Sequence, residues 1–308
     1  MYGNKSRTWV SKYLRPWSVF GFMKFLLTLF LLFPLGLASS CSSSQGGARP
    51  QPAPVSGNGP NNNAMPAVRN PFPVIHVFVA LCDNVNQGIV PVSASLGNGD
   101  NPSTNLYWGA AFGVKTFFGK SRDWQLVSHT GNPGGAVLER LIFKHRQRDL
   151  FMVADAYRGK EISQAMRDFL EAAAGRAGSA IEIKSSTGQT EFYADGSAEL
   201  VAYVGHNGLM DFELHSPPQA RDERGRKAII LACASKQYFD KPLRQTGASP
   251  LVWTTNLMAP EAYVLSAAID GWMVKESDEA VRARAAAAYH KYQNCGLRAA
   301  NKLFATGW

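Results

Sequence analysis

Two apolar runs of strand length occupy the middle of the chain, and each ends on a chemically reactive side chain. The first lies in residues 200–208 and ends at His206, and the second lies in residues 228–235 and ends at Cys233. Continuous apolar runs of this length are typical of strands that are buried on both faces of a parallel sheet. Ligands and chemistry gather at the carboxyl ends of such strands. If the two strands are neighbours, His206 and Cys233 emerge side by side at one edge of the sheet.

The remainder of the predicted domain alternates between strand and helix patterns. Strand patterns lie at 74–82, 124–129, 137–143, 150–157 and 251–254, helix patterns lie at 105–118, 161–174, 261–272 and 277–300, and the polar stretch 180–198 fits a hairpin. This alternation predicts one α/β domain over 74–308. We expect a mainly parallel, doubly wound sheet with helices on both faces.

The first 41 residues have the pattern of a secretion signal. Residues 1–24 carry five basic side chains and no acidic one, and residues 25–38 form an apolar run too short and too interrupted for a comfortable membrane span. Cys41 ends a run of small residues that resembles a bacterial lipoprotein lipobox, with Ala38 three residues before it. The sequence therefore predicts export to the cell envelope, in the periplasm or outer membrane, with a lipid anchor on Cys41. The alternative is ordinary signal-peptidase cleavage near residues 38–40.

Residues 42–73 are rich in Ser, Gly, Pro, Asn and Gln and have no apolar periodicity. This composition predicts a disordered tether between the membrane and the domain. Removing the five basic residues of the signal lowers the formal charge from +9 to +4. Because no basic run with interleaved aromatic residues is present either, we predict no nucleic-acid partner.

Three cysteines remain besides Cys41, at positions 82, 233 and 295. An oxidising compartment would allow one disulfide and leave one thiol over. The histidines show no spacing typical of a zinc site, so neither a metal nor a cofactor is predicted.

The two central motifs read Tyr-Val-Gly-His-Asn-Gly over residues 203–208 and Leu-Ala-Cys-Ala-Ser over residues 231–235. They resemble the caspase, legumain and gingipain class of cysteine peptidases, in which an apolar strand ends in His-Gly and a later one ends in Ala-Cys on a doubly wound sheet. Here Asn207 stands between the His and the Gly, and 27 residues separate His206 from Cys233. The resemblance covers these motifs well and the strand order more loosely.

The resemblance implies a role for each matching residue. Cys233 would be the nucleophile, attacking as a thiolate, and His206 would donate a proton to the leaving amine and help to hold the thiolate. The N–H of Gly208 or of Asn207, together with that of Cys233, would form the oxyanion hole. No third orienting residue is implied.

Residues just beyond the central strands are candidates for a substrate pocket. Asp211 and Asp240 could select a basic side chain, or they could cap and solvate loops. Trp253, Thr254 and Thr255 could line a pocket wall, or they could be ordinary strand packing.

Two functions from different classes follow from these patterns. The first is an exported cysteine hydrolase that acts on a peptide or protein substrate. The second is a catalytically silent envelope lipoprotein of the same fold that binds a peptide or protein partner.

Overall fold

The computed structural model describes residues 68–176, 178–185 and 188–308, which form an α/β fold around an eight-stranded mixed sheet. The strands are β1 (Val74–Ala80), β2 (Trp124–Gly134), β3 (Val137–His145), β4 (Phe151–Tyr157), β5 (Ala180–Ser185), β6 (Gly188–Tyr193), β7 (Leu200–Val204), β8 (Lys227–Leu231), β9 (Ser249–Thr254) and β10 (Phe304–Ala305). The helices are α1 (Val114–Gly119), α2 (Ile162–Ala173), α3 (Ser235–Thr246), α4 (Ala262–Met273), α5 (Asp278–Gln293) and α6 (Leu297–Leu303).

The main sheet has the strand order β10-β9-β8-β7-β1-β4-β3-β2, and β5 and β6 form a separate hairpin. Five neighbouring strands, β9, β8, β7, β1 and β4, run parallel, while β2, β3 and β10 pair antiparallel with their neighbours. The chain passes from β1 to β4 on one side and later returns to β7 on the other. Such a reversal opens a crevice at the carboxyl ends of the two strands, here β1 and β7.

Helices cover both faces of the sheet, as the alternation of side chains along β1 makes clear. All seven residues of β1 are buried. Its odd-numbered residues pack with α1, α4 and α5, while its even-numbered apolar residues face α2 and α3. The prediction of an α/β fold with a mainly parallel sheet is confirmed. The strands before His206 and Cys233 are neighbours, which is the condition for both residues to emerge at one edge of the sheet.

The predicted helix at 105–118 is wrong over most of its length, because only Val114–Gly119 is helical. The side chain of Asn105 instead bonds to the backbone of Cys82, accepting from its N–H at 3.0 Å and donating to its carbonyl at 2.8 Å. Gly109 packs directly against the backbone of Ser103, leaving no room for a side chain. The stretch therefore folds as a loop against the end of β1.

Two further helix assignments differ from the sequence pattern. Helix α3 was not predicted, since it is polar and contains Pro242, although its Phe239 and Leu243 are fully buried. The predicted helix at 277–300 is divided into α5 and α6. Asn294, in the left-handed region at φ 52°, ends α5.

The last residues of the predicted tether contact the fold. Asn70 donates to the Tyr193 carbonyl at 2.8 Å, and the Phe72 ring lies 5.0 Å from that of Phe151. Packing in the described part of the chain therefore begins before Val74. The predicted signal peptide, Cys41 and most of the predicted tether lie outside the described residues.

Candidate active site at the carboxyl edge of the sheet

Cys233 lies in a sharp connection between strand β8 and helix α3. Ala234 follows it in the left-handed region, at φ 47°, and donates its amide to the Asn256 carbonyl at 2.9 Å. Ser235, the first residue of α3, braces the turn by donating its hydroxyl to the Ile230 carbonyl at 3.0 Å. A left-handed alanine costs free energy, and backbone strain of this kind persists where the surroundings enforce it. The turn thus presents Cys233 at the carboxyl edge.

The sulfur of Cys233 is half-buried beneath the loop that follows β9. The Met258 amide lies 3.4 Å from Sγ, and the Met258 carbonyl lies 3.6 Å from it. Burial raises the pKa of Cys233, and the Met258 N–H opposes that shift only in part. Helix α3 begins two residues later, and its amino-terminal end favours negative charge at this point. The resting sulfur is therefore a neutral thiol beside groups that would stabilise its thiolate.

His206 follows β7 and pairs with Asp211. Its Nε2 lies 2.7 Å from Asp211 Oδ2, and the buried Tyr203 hydroxyl donates to the His206 carbonyl at 2.8 Å. The imidazole is buried, whereas the Asp211 side chain is 36% exposed. Asp211, which the sequence put forward as a pocket residue, thus orients the imidazole. Its partner is His206, and the carboxylate is not left free for a substrate.

The loop that follows β1 also contacts Asp211. Gly88 donates its amide to Asp211 Oδ2 at 3.0 Å. A Cβ at position 88 would lie 2.5 Å from the other carboxylate oxygen, so a larger residue there would displace the Asp211 side chain. The contact joins the loop after β1 to the loop after β7, at the point where the strand order changes direction.

Asn207 joins the histidine loop to the cysteine loop. This residue is fully buried, and its side chain donates to the Cys233 carbonyl at 2.6 Å. Its side-chain oxygen accepts from the Leu209 amide at 3.2 Å, which fixes the amide group at both ends. Asn207 therefore braces the two motifs against each other. This contact gives a structural role to the residue that separates the His from the Gly in the motif.

Two backbone amides at this edge have no hydrogen-bond acceptor in the described part of the chain. Among the described residues, neither Gly208 N–H nor Cys233 N–H has a hydrogen-bond acceptor. Gly208 is packed tightly beneath Phe212, where a Cβ would lie 2.6 Å from the ring. The predicted oxyanion donors thus have unpaired amides.

In the described part of the chain, His206 and Cys233 are not hydrogen-bonded to each other. His206 Nδ1 has no partner there either, so one ring nitrogen remains open while the other is held by Asp211. A group of this kind can accept a proton at Nδ1 and share the resulting charge with the carboxylate at Nε2.

Tyr107 also belongs to the surroundings of Cys82 and Cys233, and the sequence did not predict it. It is buried, and burial together with the charges of Cys82 and Cys233 raises its pKa well above the usual value. The phenol therefore stays neutral and lies within electrostatic range of both sulfurs. It sits in the stretch interpreted as a helix, and no sequence signal distinguishes it from other aromatic core residues.

The remaining predicted pocket residues lie in other surroundings. Asp240 pairs with Arg244 on the exposed side of α3, at 3.0 Å. Trp253 is fully buried and its ring lies 5.5 Å from that of Trp308, while Thr254 is buried against Ser235. Thr255 donates to the Lys302 carbonyl at the end of α6.

Comparison of the chain with protein-family models, curated proteins and solved structures finds no match. Within the residues described, no helix is long and apolar enough to cross a membrane. The same part of the chain contains no group of three or more His, Cys, Asp or Glu side chains that could hold a metal ion.

Proposed function

We propose that the protein is an exported cysteine hydrolase that cleaves peptide bonds, with Cys233 as the nucleophile and His206 as the general acid and base. The observation that carries the proposal is the Asn207 brace. It ties the loop of a His–Asp pair to the loop of a cysteine presented on a strained turn.

The chemistry follows from the groups at this edge. As Sγ of Cys233 attacks the substrate carbonyl carbon, its proton passes to Nδ1 of His206. The Asp211 carboxylate at Nε2 stabilises the imidazolium. The N–H groups of Gly208 and Cys233 receive the developing oxyanion, and one such donor is typically worth about 2.7–4 kcal/mol in the transition state.

Release of the amine and hydrolysis of the thioester use the same two residues. His206 gives its proton to the departing amine, which breaks the C–N bond and leaves a thioester on Cys233. A water molecule then loses a proton to His206 and attacks the thioester. The C–S bond breaks, the acid is released, and His206 returns the proton to Sγ, which restores the thiol. No cofactor is required for this sequence.

The sheet supports a caspase-type fold as the finer assignment. β7 and β8 pair in parallel, with Val204 opposite Leu231, so the His-bearing and Cys-bearing loops leave from adjacent strand ends. This is the order that the resemblance to caspases, legumain and gingipains implies. The crevice between β1 and β7 is the place where a doubly wound sheet binds its ligand.

A silent binding protein of the same fold is the second candidate, and one observation favours it. The Cys233 thiol has a raised pKa, and no hydrogen bond to His206 activates it in the described structure. In that case the same edge would hold a peptide without cutting it.

The deciding experiment offers the purified protein a mixed peptide pool and maps cuts by mass spectrometry. We expect cuts with the native chain and a loss on the order of 10⁴-fold or more in Cys233→Ala and in His206→Ala. Cys295→Ala is the matched control, since this cysteine is free and exposed, and its rate should be unchanged. Retained peptides without any cut would favour the binding protein, and undiminished cutting by Cys233→Ala would refute the assignment of the nucleophile.

We further propose that the protein is held in the cell envelope by a lipid on Cys41. Attachment through two or more acyl chains is stable, whereas a single chain gives marginal binding. Labelled fatty acid should enter the native chain and not Cys41→Ser. Equal labelling of both would exclude lipidation at this residue.

A further inference from the structure

Three loops touch the candidate catalytic residues, and each carries an exposed apolar side chain. The loop after β1 contacts Asp211 through Gly88, the loop after β7 contains His206 itself, and the loop after β9 covers Cys233 through Met258. These loops are therefore the first candidates to contact a ligand bound at the Cys233 sulfur.

The apolar side chains on these loops are large and open to solvent. Val90 is 87% exposed on the first loop, Met210 is 42% exposed on the second, and Leu257 is 68% exposed on the third. Met210 is tied to the site by its amide, which donates to the Asn207 carbonyl at 3.0 Å, and Leu257 directly precedes Met258. With Val85, these residues make up four of the nine exposed large apolar side chains in the described part of the chain. Exposed apolar side chains concentrated on the loops that contact a candidate site are what a binding surface requires, whereas single exposed apolar residues are ordinary.

The carboxylates that could have selected a basic substrate have other partners. Asp211 is held by His206 and Gly88, and Asp240 is paired with Arg244. Glu213 is exposed two residues beyond Asp211, and it is the acidic alternative that an experiment must examine.

We propose that the peptide accepted at this site carries apolar side chains next to the scissile bond, and that Met210, Leu257 and Val90 contact them. This inference rests on the proposed hydrolase function. It assigns the substrate class as apolar, in place of the basic side chain that the sequence suggested.

The test uses the same peptide pool and reads the residues on each side of every cut. We expect Leu, Met, Phe and Val to be enriched there, with no enrichment of Arg or Lys. With a single apolar peptide chosen from that set, Met210→Ser and Leu257→Ser should each raise KM about tenfold and leave kcat nearly unchanged.

One pair of control variants and one acidic-residue variant separate this inference from other outcomes. Leu126→Ser and Val274→Ser replace apolar side chains that are exposed elsewhere, and they should not change KM. Enrichment of basic residues that disappears in Glu213→Gln would overturn the inference while leaving the hydrolase intact. Unchanged KM in both Met210→Ser and Leu257→Ser would also overturn it, whereas the absence of any cut by the native chain would refute the hydrolase itself.

Discussion

His76 and His206 each pair with an aspartate, one at the centre of the sheet and the other at its carboxyl edge. His76, on β1, is fully buried, with Nε2 3.0 Å from Asp155 and Nδ1 3.1 Å from Asp195. Arg140 binds the Asp155 carboxylate with two hydrogen bonds of 2.7 and 2.6 Å. His206 has one aspartate, a half-exposed one, and an open second nitrogen.

The electrostatics of the central pair favour a permanent charge. Burial disfavours the imidazolium of His76, but the charges and hydrogen bonds of Asp195 and Asp155 outweigh it and raise its pKa to about 9. The Asp195 amide also faces Nδ1 at 3.1 Å, a contact suited to a neutral ring. We favour the imidazolium, because two carboxylates flank the ring and the pKa of each is lowered.

The two pairs differ in whether one or both ring nitrogens of the histidine have a hydrogen-bond partner. At the centre, both ring nitrogens have acceptors and the aspartate is saturated by Arg140, so no proton can be exchanged with a ligand. At the edge, the aspartate fixes one nitrogen and leaves the other to react. The same two residue types thus form a structural ion cluster in one place and a candidate acid–base pair in the other.

Replacing each histidine in turn should separate these roles most strongly. His76→Asn leaves two buried carboxylates with one fewer partner, and we expect it to lower the free energy of unfolding by about 3–5 kcal/mol. His206→Asn removes a bond to a half-exposed carboxylate and should cost about 1 kcal/mol. Urea unfolding at pH 7 measures both, and equal losses would contradict the comparison.

Asp211→Asn should next lower kcat about 100-fold while leaving the unfolding midpoint nearly unchanged, because the imidazolium loses its stabilising charge. Asp240→Asn is the matched control, since it removes an exposed carboxylate from α3. If Asp211 instead selected a basic substrate, its replacement would raise KM for basic peptides and leave kcat intact. The ratio of kcat to KM effects distinguishes the two roles.

The central cluster should also set the pH dependence of stability. The folded pKa of His76 is raised above the ordinary value of 6.5, so its contribution is fully present below pH 6.5 and is lost as the pH rises through about 9. The pKa values of Asp155 and Asp195 are lowered, so their contribution is present above about pH 4 and is lost as the pH falls further. The difference in unfolding free energy between the native chain and His76→Asn, measured from pH 6 to 10, should shrink at the alkaline end.

We expect the smallest effect in the relative rates at which the cysteine thiols react with iodoacetamide. We expect iodoacetamide to modify the exposed Cys295 first and the half-buried Cys233 second, with a Cys233 rate that rises with pH because its pKa is raised. Burial raises the pKa of Cys82 to about 11, so it should react only in denaturant. Mass mapping after short exposures gives the order. Modification of Cys233 first near pH 6 would mean that His206 holds a preformed thiolate.

Strands and helices that are defined by the pattern of neighbouring residues could be predicted from the sequence. The apolar runs ending at His206 and Cys233 are the buried strands of a parallel sheet that their composition indicated, because a strand buried on both faces has little choice of residue. Helix α3 escaped prediction because its buried face consists of few residues, among them Phe239 and Leu243, spaced around Pro242.

Contacts between distant parts of the chain could not be predicted in this way. His76 looked like one polar position in an apolar strand, and its partners at 155 and 195 become neighbours only through the strand order. At the edge, the sequence offers Asp211 as a pocket residue or a loop cap, and its contact with His206 depends on how the loop after His206 turns. Asn207 shows the same limit. The sequence shows an asparagine at this position, but the carbonyl that accepts its hydrogen bond belongs to Cys233, 26 residues later in the chain.

The central position of β1 has a consequence for how the chain reaches its fold. Val74 pairs with Phe151 and Ile75 with Leu200, so both neighbours of this strand are supplied much later in the sequence. Such distant pairing is slow, and an unpaired apolar strand is prone to associate with other chains while it waits. His76 interrupts that run with an ionisable side chain before any partner exists. The residue that becomes the centre of the ion cluster is therefore also placed to act as a gatekeeper against aggregation in the unfolded chain.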